Sequence, residues 1–149
     1  MAAAAGSFHS AAVGEDGSLF VWGRGELSQL GTGDTASSLI PTRVAGLPAP
    51  VRQVAAGDNH TGIVTEAGDL LMCGCGKRGQ LGLGGRGDRA TPTLVARAVF
   101  DGEAVLMVAC GGEHTAVATE GGGVYTFGDG EYGQLGHGAR EEDWEEDEP

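Results

Sequence analysis

Short apolar runs alternate with Gly-, Asp- and Asn-rich breaks along most of the chain. Val51 to Ala56, Thr61 to Thr65 and Leu70 to Cys73 span four to six residues each. Such runs are too short for typical helices and match strands joined by turns. A fourth short strand follows each Pro-Thr pair, Pro41-Thr42 leading to Val44 and Pro92-Thr93 leading to Val95. Proline at the first residue of an edge strand removes no ladder hydrogen bond. The opening Met1 to Ala5 stands where a better strand sequence is expected.

The pattern repeats. His9, His60 and His114 fall 51 and then 54 residues apart, and the same steps link Gly6, Gly57 and Gly111, and Ser10, Thr61 and Thr115. Gln-Leu-Gly recurs at Gln29 to Gly31, Gln80 to Gly82 and Gln134 to Gly136. Four antiparallel strands per unit of about fifty residues describe a propeller blade. The chain is therefore all-β, with three repeats at about 1–47, 48–99 and 100–138, the last without its outer strand. An acidic tail, 139–149, follows and is expected to be disordered. Three blades make an incomplete arc, because propellers close with about four to eight. Its open ends need covering, by self-association, by a partner or by further blades of a longer protein.

The blocks resemble the regulator of chromosome condensation repeat up to Gly138. They read Gly57-Asp58-Asn59-His60-Thr61, Asp16-Gly17, Trp22-Gly23 and Gly79-Gln80-Leu81-Gly82. The resemblance implies a propeller, usually of seven blades, used for protein recognition. The family includes guanine-nucleotide exchange on a Ran-type small GTPase, chromatin attachment, targeting modules beside ubiquitin-ligase domains, and a plant ultraviolet receptor. The sequence departs from each of these. It has no long insertion to act as an exchange wedge and no basic N-terminal tail. The receptor's Gly-Trp-Arg-His-Thr reads Gly57-Asp58-Asn59-His60-Thr61 and Gly111-Gly112-Glu113-His114-Thr115 here.

Charge narrows the partner class. Of 21 acidic residues, seven lie in Glu141 to Pro149; the rest of the chain carries 14 acids against nine bases. That balance disfavours nucleic-acid binding through phosphates, which needs a basic surface, and suits a basic protein such as a histone, with Trp144 as the anchor. With neither a secretory signal nor an apolar run of spanning length, the expected location is cytoplasmic or nuclear, away from membranes.

Several apparent motifs dissolve into the repeat. Gly74 to Gly79 and Gly128 to Gly133 satisfy G-x-G-x-x-G, but Gln-Leu-Gly follows where a dinucleotide site requires a helix. The histidines sit one per blade, too far apart to share a metal, and are expected as partly buried imidazoles bonded to backbone near the turn. Cys73 and Cys110 occupy core slots, whereas Cys75 aligns with Arg24 and Asp129 and is the thiol expected to be exposed. Ser10, His60 and Asp58 have no catalytic context, and Asn59-His60-Thr61 is a sequon that matters only in a secreted protein. No catalytic residue, cofactor or metal is expected.

What remains is the set of unshared residues in otherwise shared loops, which are free to contact partners. These are Arg24 and Glu26, Lys77 and Arg78, and Asp129, Glu131 and Tyr132. His9, His60, His114, Gly31, Gly82 and Gly136 belong to the scaffold. Lys77, Arg78, Arg86 and Arg89 make the second repeat locally basic and Asp129 and Glu131 make the third acidic, an asymmetry suited to docking a protein. The expected function is a non-catalytic protein–protein interaction module. The alternatives are an exchange regulator of a Ran-type small GTPase and a fragment of a larger propeller.

Overall fold

A computed structural model describes residues 1–138. The first sheet contains β1 (Ala2–Ala5), β2 (His9–Val13), β3 (Leu19–Gly23) and β4 (Ser38–Arg43), hydrogen-bonded in chain order. The second repeats this with β5 (Val51–Ala56), β6 (His60–Thr65), β7 (Leu70–Gly74) and β8 (Arg89–Leu94). The third has three strands among the described residues, β9 (Val105–Cys110), β10 (His114–Thr119) and β11 (Val124–Gly128). All neighbouring strands are antiparallel. The result is an open row of propeller blades.

The cores lie between blades. Ala11, Val13, Leu19 and Val21 of the first blade pack on Val51, Val54, Ile63 and Leu71 of the second. Val64, Leu70 and Met72 of the second then pack on Val105, Val108 and Val117 of the third. A fully buried Leu, Ile or Val contributes about 1.5–3 kcal/mol relative to exposure, so the seams hold the arc together. Burial along the second strand of each blade records how many faces are covered. All six residues of β6 are buried, because it has a blade on either side. In β2 only His9, Ala11 and Val13 are buried, and in β10 only Thr115, Val117 and Thr119. Each end blade thus buries one face, and the two bury opposite ones.

Three features differ from the sequence expectation. Ala2–Ala5 is a regular strand, with Ala4 opposite Ala11; pairing with β2 and packing beside β5 override the weak strand preference of alanine. Pro41 and Pro92 sit at the fourth residue of β4 and β8 rather than the first. The register shifts there, with Val21 opposite Thr42 but Gly23 opposite Ser38, so Leu39 to Pro41 bulge out at the free edge, where a missing N–H costs no ladder bond. Finally, Arg97–Phe100 is a 3-10 helical turn. It occupies the longer connection from Val95 to Val105, which accounts for the 54-residue step. Phe100 fills the core beneath it and meets Tyr125 edge-on at 5.3 Å.

Candidate interaction site

Each blade presents a turn after its first strand and a long loop after its third on the same side of the arc. Backbone hydrogen bonds join them: Arg24 N–H to the Phe8 carbonyl, Cys75 N–H to Asn59, and Asp129 N–H to Glu113, at 2.8–2.9 Å. Neighbouring blades are linked along this side too. Gln29 Nε2 reaches Asn59 Oδ1 at 3.4 Å and Arg78 pairs with Glu113 at 3.4 Å. The unshared loop residues therefore share one face.

Beneath them, shared residues make a relay across each seam. His9 Nε2 lies 2.7 Å from Thr61 Oγ1, which donates to the Gln29 carbonyl at 2.6 Å. His60 Nε2, Thr115 Oγ1 and the Gln80 carbonyl repeat this at 3.0 and 2.8 Å. A hydroxyl has one proton, and threonine gives its proton to the carbonyl. The imidazole must therefore donate from Nε2, which leaves Nδ1 bare; Nδ1 of His9 and of His60 is buried without a partner. Burial holds both imidazoles at about 4, well below the ordinary 6.5. The expected bond from histidine to nearby backbone is thus replaced by one to a side chain of the next blade. The glutamine side chains brace the loops from below, Gln29 Oε1 accepting from Leu27 N–H and Gln80 Oε1 from Arg78 N–H, at 2.9 and 2.8 Å. Thr61, Thr115, Gln29 and Gln80 recur in step with the histidines, and that shared period was the available signal for the relay.

The sequence-selected loop residues divide into three groups. Arg24 and Glu26 are exposed but pair with each other at 2.7 Å, and Arg24 lies 5.4 Å over the Phe8 ring. Asp129 is half-buried and accepts from Gln134 Nε2 at 3.0 Å, closing its own loop. Lys77, Arg78, Glu131 and Tyr132 are exposed, Tyr132 at 85%. Trp144 lies outside the described residues. Gly31, Gly82 and Gly136 adopt left-handed backbone, φ +66° to +70°, which turns each loop back toward the sheet. A groove of about 660 Å³ opens between the second loop and β11, lined by Arg78, Arg86, Tyr125, Phe127 and His137.

Cys75 is buried, at 6% exposure, contrary to the polar slot it shares with Arg24. A long guanidinium reaches solvent from that position; a short thiol does not. Cys73 is buried and Cys110 half-buried, and desolvation pushes both thiols up to about 12. Among the described residues no three of His, Cys, Asp or Glu converge as metal ligands, and no helix is long and apolar enough to cross a membrane.

Fold and relay define a repeat propeller whose shared residues serve the seams. The profile of the regulator of chromosome condensation (RCC1) repeat matches residues 16–64 and 67–118, and a second profile of the same repeat matches 2–29, 51–80 and 108–134. The chain belongs to the RCC1 repeat family. It is similar to the ultraviolet-B receptor UVR8 of Arabidopsis thaliana, 45% identical over 140 residues, covering 93% of this chain and 31% of the receptor. It is also similar to human protein RCC2, 42% identical over 130 residues, covering 87% of this chain and 24% of RCC2. Among solved structures, Prp20p from Saccharomyces cerevisiae superposes with a TM-score of 0.82 at 26% identity, over 93% of this chain and 35% of that one. The chain thus spans about a third or less of these proteins.

Proposed function

We propose that the chain is a non-catalytic protein-recognition module that engages its partner through the loop face. The observation that carries this reading is the division within each loop. In the second loop Gln80 is buried while its unshared neighbours Lys77 and Arg78 face solvent, and in the third Tyr132 is 85% exposed beside the half-buried Gln134. Aromatic and arginine side chains on a rigid, exposed rim are the usual anchors of protein interfaces. The charges favour a partner with acidic groups opposite Lys77, whose neighbour Arg78 is paired with Glu113, and basic ones opposite Glu131. A basic protein such as a histone would also be attracted by Glu141 to Pro149. The structure of Prp20p was described together with its binding to Gsp1p and histones, which supports a protein partner of this kind.

The same likeness favours a second reading, nucleotide exchange on a small GTPase. Labelled GDP release from a panel of small GTPases separates the two. Clear acceleration by the chain would overturn the binding-module reading. In parallel, partners captured by the chain from a nuclear or cytoplasmic extract are compared with those held by a K77E/R78E/Y132A variant. Loss of specific partners supports the loop face, and unchanged capture sinks it.

A further inference from the structure

On the side opposite the loop face, the linkers that leave the first two blades are pinned alike at both ends. Val44 N–H donates to the Leu19 carbonyl and Val51 N–H to the Gly17 carbonyl; Val95 and Val105 repeat these bonds to Leu70 and Gly68, all at 2.9 Å. A Cβ placed on Gly17 would meet Pro50, and one on Gly68 would meet Ala104 at the same place in the next linker. Between the pins the first linker has six residues, 45–50, and the second nine, 96–104. The apolar contact with the core is kept in both, by Leu47 and by Phe100. What the shorter linker lacks is a counterpart of Arg97.

Arg97 lies against the turn of its own blade, with Nε donating to Asp69 Oδ1 at 2.8 Å and Nη2 to the Ala67 carbonyl at 2.5 Å. Two fixed N–H donors that span a carboxylate and a carbonyl are a guanidinium's way of binding. In the first blade the ground between turn and linker is an open pocket of about 460 Å³, bordered by Asp16, Ser18, Arg43, Gly46 and Leu47. Its acceptors correspond. Asp16 stands at the position of Ala67 and Ser18 at that of Asp69. The Asp16 carboxylate is folded over Ser18, accepting from its N–H at 3.0 Å and its hydroxyl at 2.9 Å. A negative charge therefore stands beside this position in both blades. Nothing lies within 4 Å of a Cβ placed on Gly46, so the linker leaves the pocket open. Arg43 at the rim replaces the uncharged Leu94 and joins no ion pair among the described residues.

We infer that this pocket receives an arginine side chain of a protein partner, whose guanidinium takes the place that Arg97 holds in the second blade. One N–H reaches the Asp16 carboxylate and another the Asp16 carbonyl. The second blade thus carries, as part of its own chain, the ligand that the first blade takes from outside. Lysine does not substitute, because its ammonium is a single point charge without the planar fork. Arg43 opposes the incoming charge and weakens the contact. The site is separate from the loop face, since it lies at the other end of the strands.

The test follows the backbone amide resonances of the full chain during titration with N-acetyl-arginine amide, N-acetyl-lysine amide and N-acetyl-citrulline amide, the last a neutral copy of arginine. The arginine compound should shift the amides of Gly17, Ser18 and Gly46 saturably, and the other two should act several-fold more weakly. Asp16→Asn keeps an oxygen for the Ser18 N–H and with it the turn, and should weaken the arginine response about tenfold, as loss of one charge-assisted hydrogen bond requires. Arg43→Ala should strengthen it. A chain in which residues 45–50 are replaced by the sequence of 96–104 supplies its own arginine and should respond no longer. Lys77→Glu should leave the response unchanged, which keeps this site distinguishable from the loop face. Equal shifts with citrulline or lysine, no saturable shift at these amides with arginine, or an unaltered response in Asp16→Asn would each overturn the proposal.

Discussion

His9 donates from Nε2 to Thr61 Oγ1 at 2.7 Å across the first seam, and Thr61 hands its own proton to the Gln29 carbonyl on the side the histidine came from. One hydroxyl thereby satisfies two buried groups of the neighbouring blade. The same device at His60, Thr115 and Gln80 joins the second blade to the third.

Removing that hydroxyl strands both groups. Thr115→Val should leave His60 Nε2–H and the Gln80 carbonyl buried and unpaired, at about 1–3 kcal/mol for each group. Urea unfolding should show a lower midpoint with an unchanged slope, equivalent to roughly 2–6 kcal/mol. Thr115→Ser keeps the relay and should lose only about 1 kcal/mol with the methyl group. Equal losses in the two variants would refute the relay.

Protonation attacks the same seams. Folded His9 and His60 titrate at about 4, whereas the unfolded residues titrate near 6.5. Above pH 6.5 both states are neutral and this contribution to stability is fully present. As the pH falls from 6.5 toward 4, the unfolded chain takes up protons that the fold excludes. Stability then drops by about 1.4 kcal/mol per pH unit for each histidine. The thermal midpoint should decline steadily from pH 6.5 to 5, above the range where ordinary carboxylates titrate. A flat profile there would contradict burial of the imidazoles.

The glycine beside each histidine has a different duty from those in the loops. A Cβ on Gly57 would lie 2.3 Å from His60 Cε1 and 2.5 Å from the Gly111 carbonyl oxygen, a backbone atom that cannot turn aside. Gly85 has open space at the same place. Gly57→Ala should cost several-fold more stability than Gly85→Ala, which should stay within about 0.5 kcal/mol of the parent. Parallel denaturant titrations decide it.

These relationships explain what was legible in the sequence. Turn glycines at a fixed period mark strand ends, so β5 to β7 and their counterparts could be placed from pattern alone. Partnership was hidden. Periodicity shows that His9, His60 and His114 are equivalent, but the hydroxyl that His9 meets is 52 residues away, in the next blade. Ala2–Ala5 was obscured for another reason, since its strand conformation comes from β2 and not from alanine. In the loops, Asp129 looked like Glu131, yet its carboxylate is turned onto Gln134, a difference of direction that composition does not carry.

Cys75 was misplaced by inference from its longer counterparts, and its reactivity tests the corrected position. Thiolate is the nucleophile, and burial pushes Cys73 and Cys110 up to about 12. At pH 8 only about one molecule in ten thousand then carries either thiolate. Cys75 is shielded by burial itself, at 6% exposure. An aromatic disulfide reagent should therefore find no fast-reacting thiol in the native chain and three in denaturant, with native labelling limited by opening of the fold. A fast phase lost in Cys75→Ser would show that the second loop opens in solution and exposes the thiol beside Lys77 and Arg78. Its absence would establish that this loop is held shut from below, as the contacts of Gln80 require.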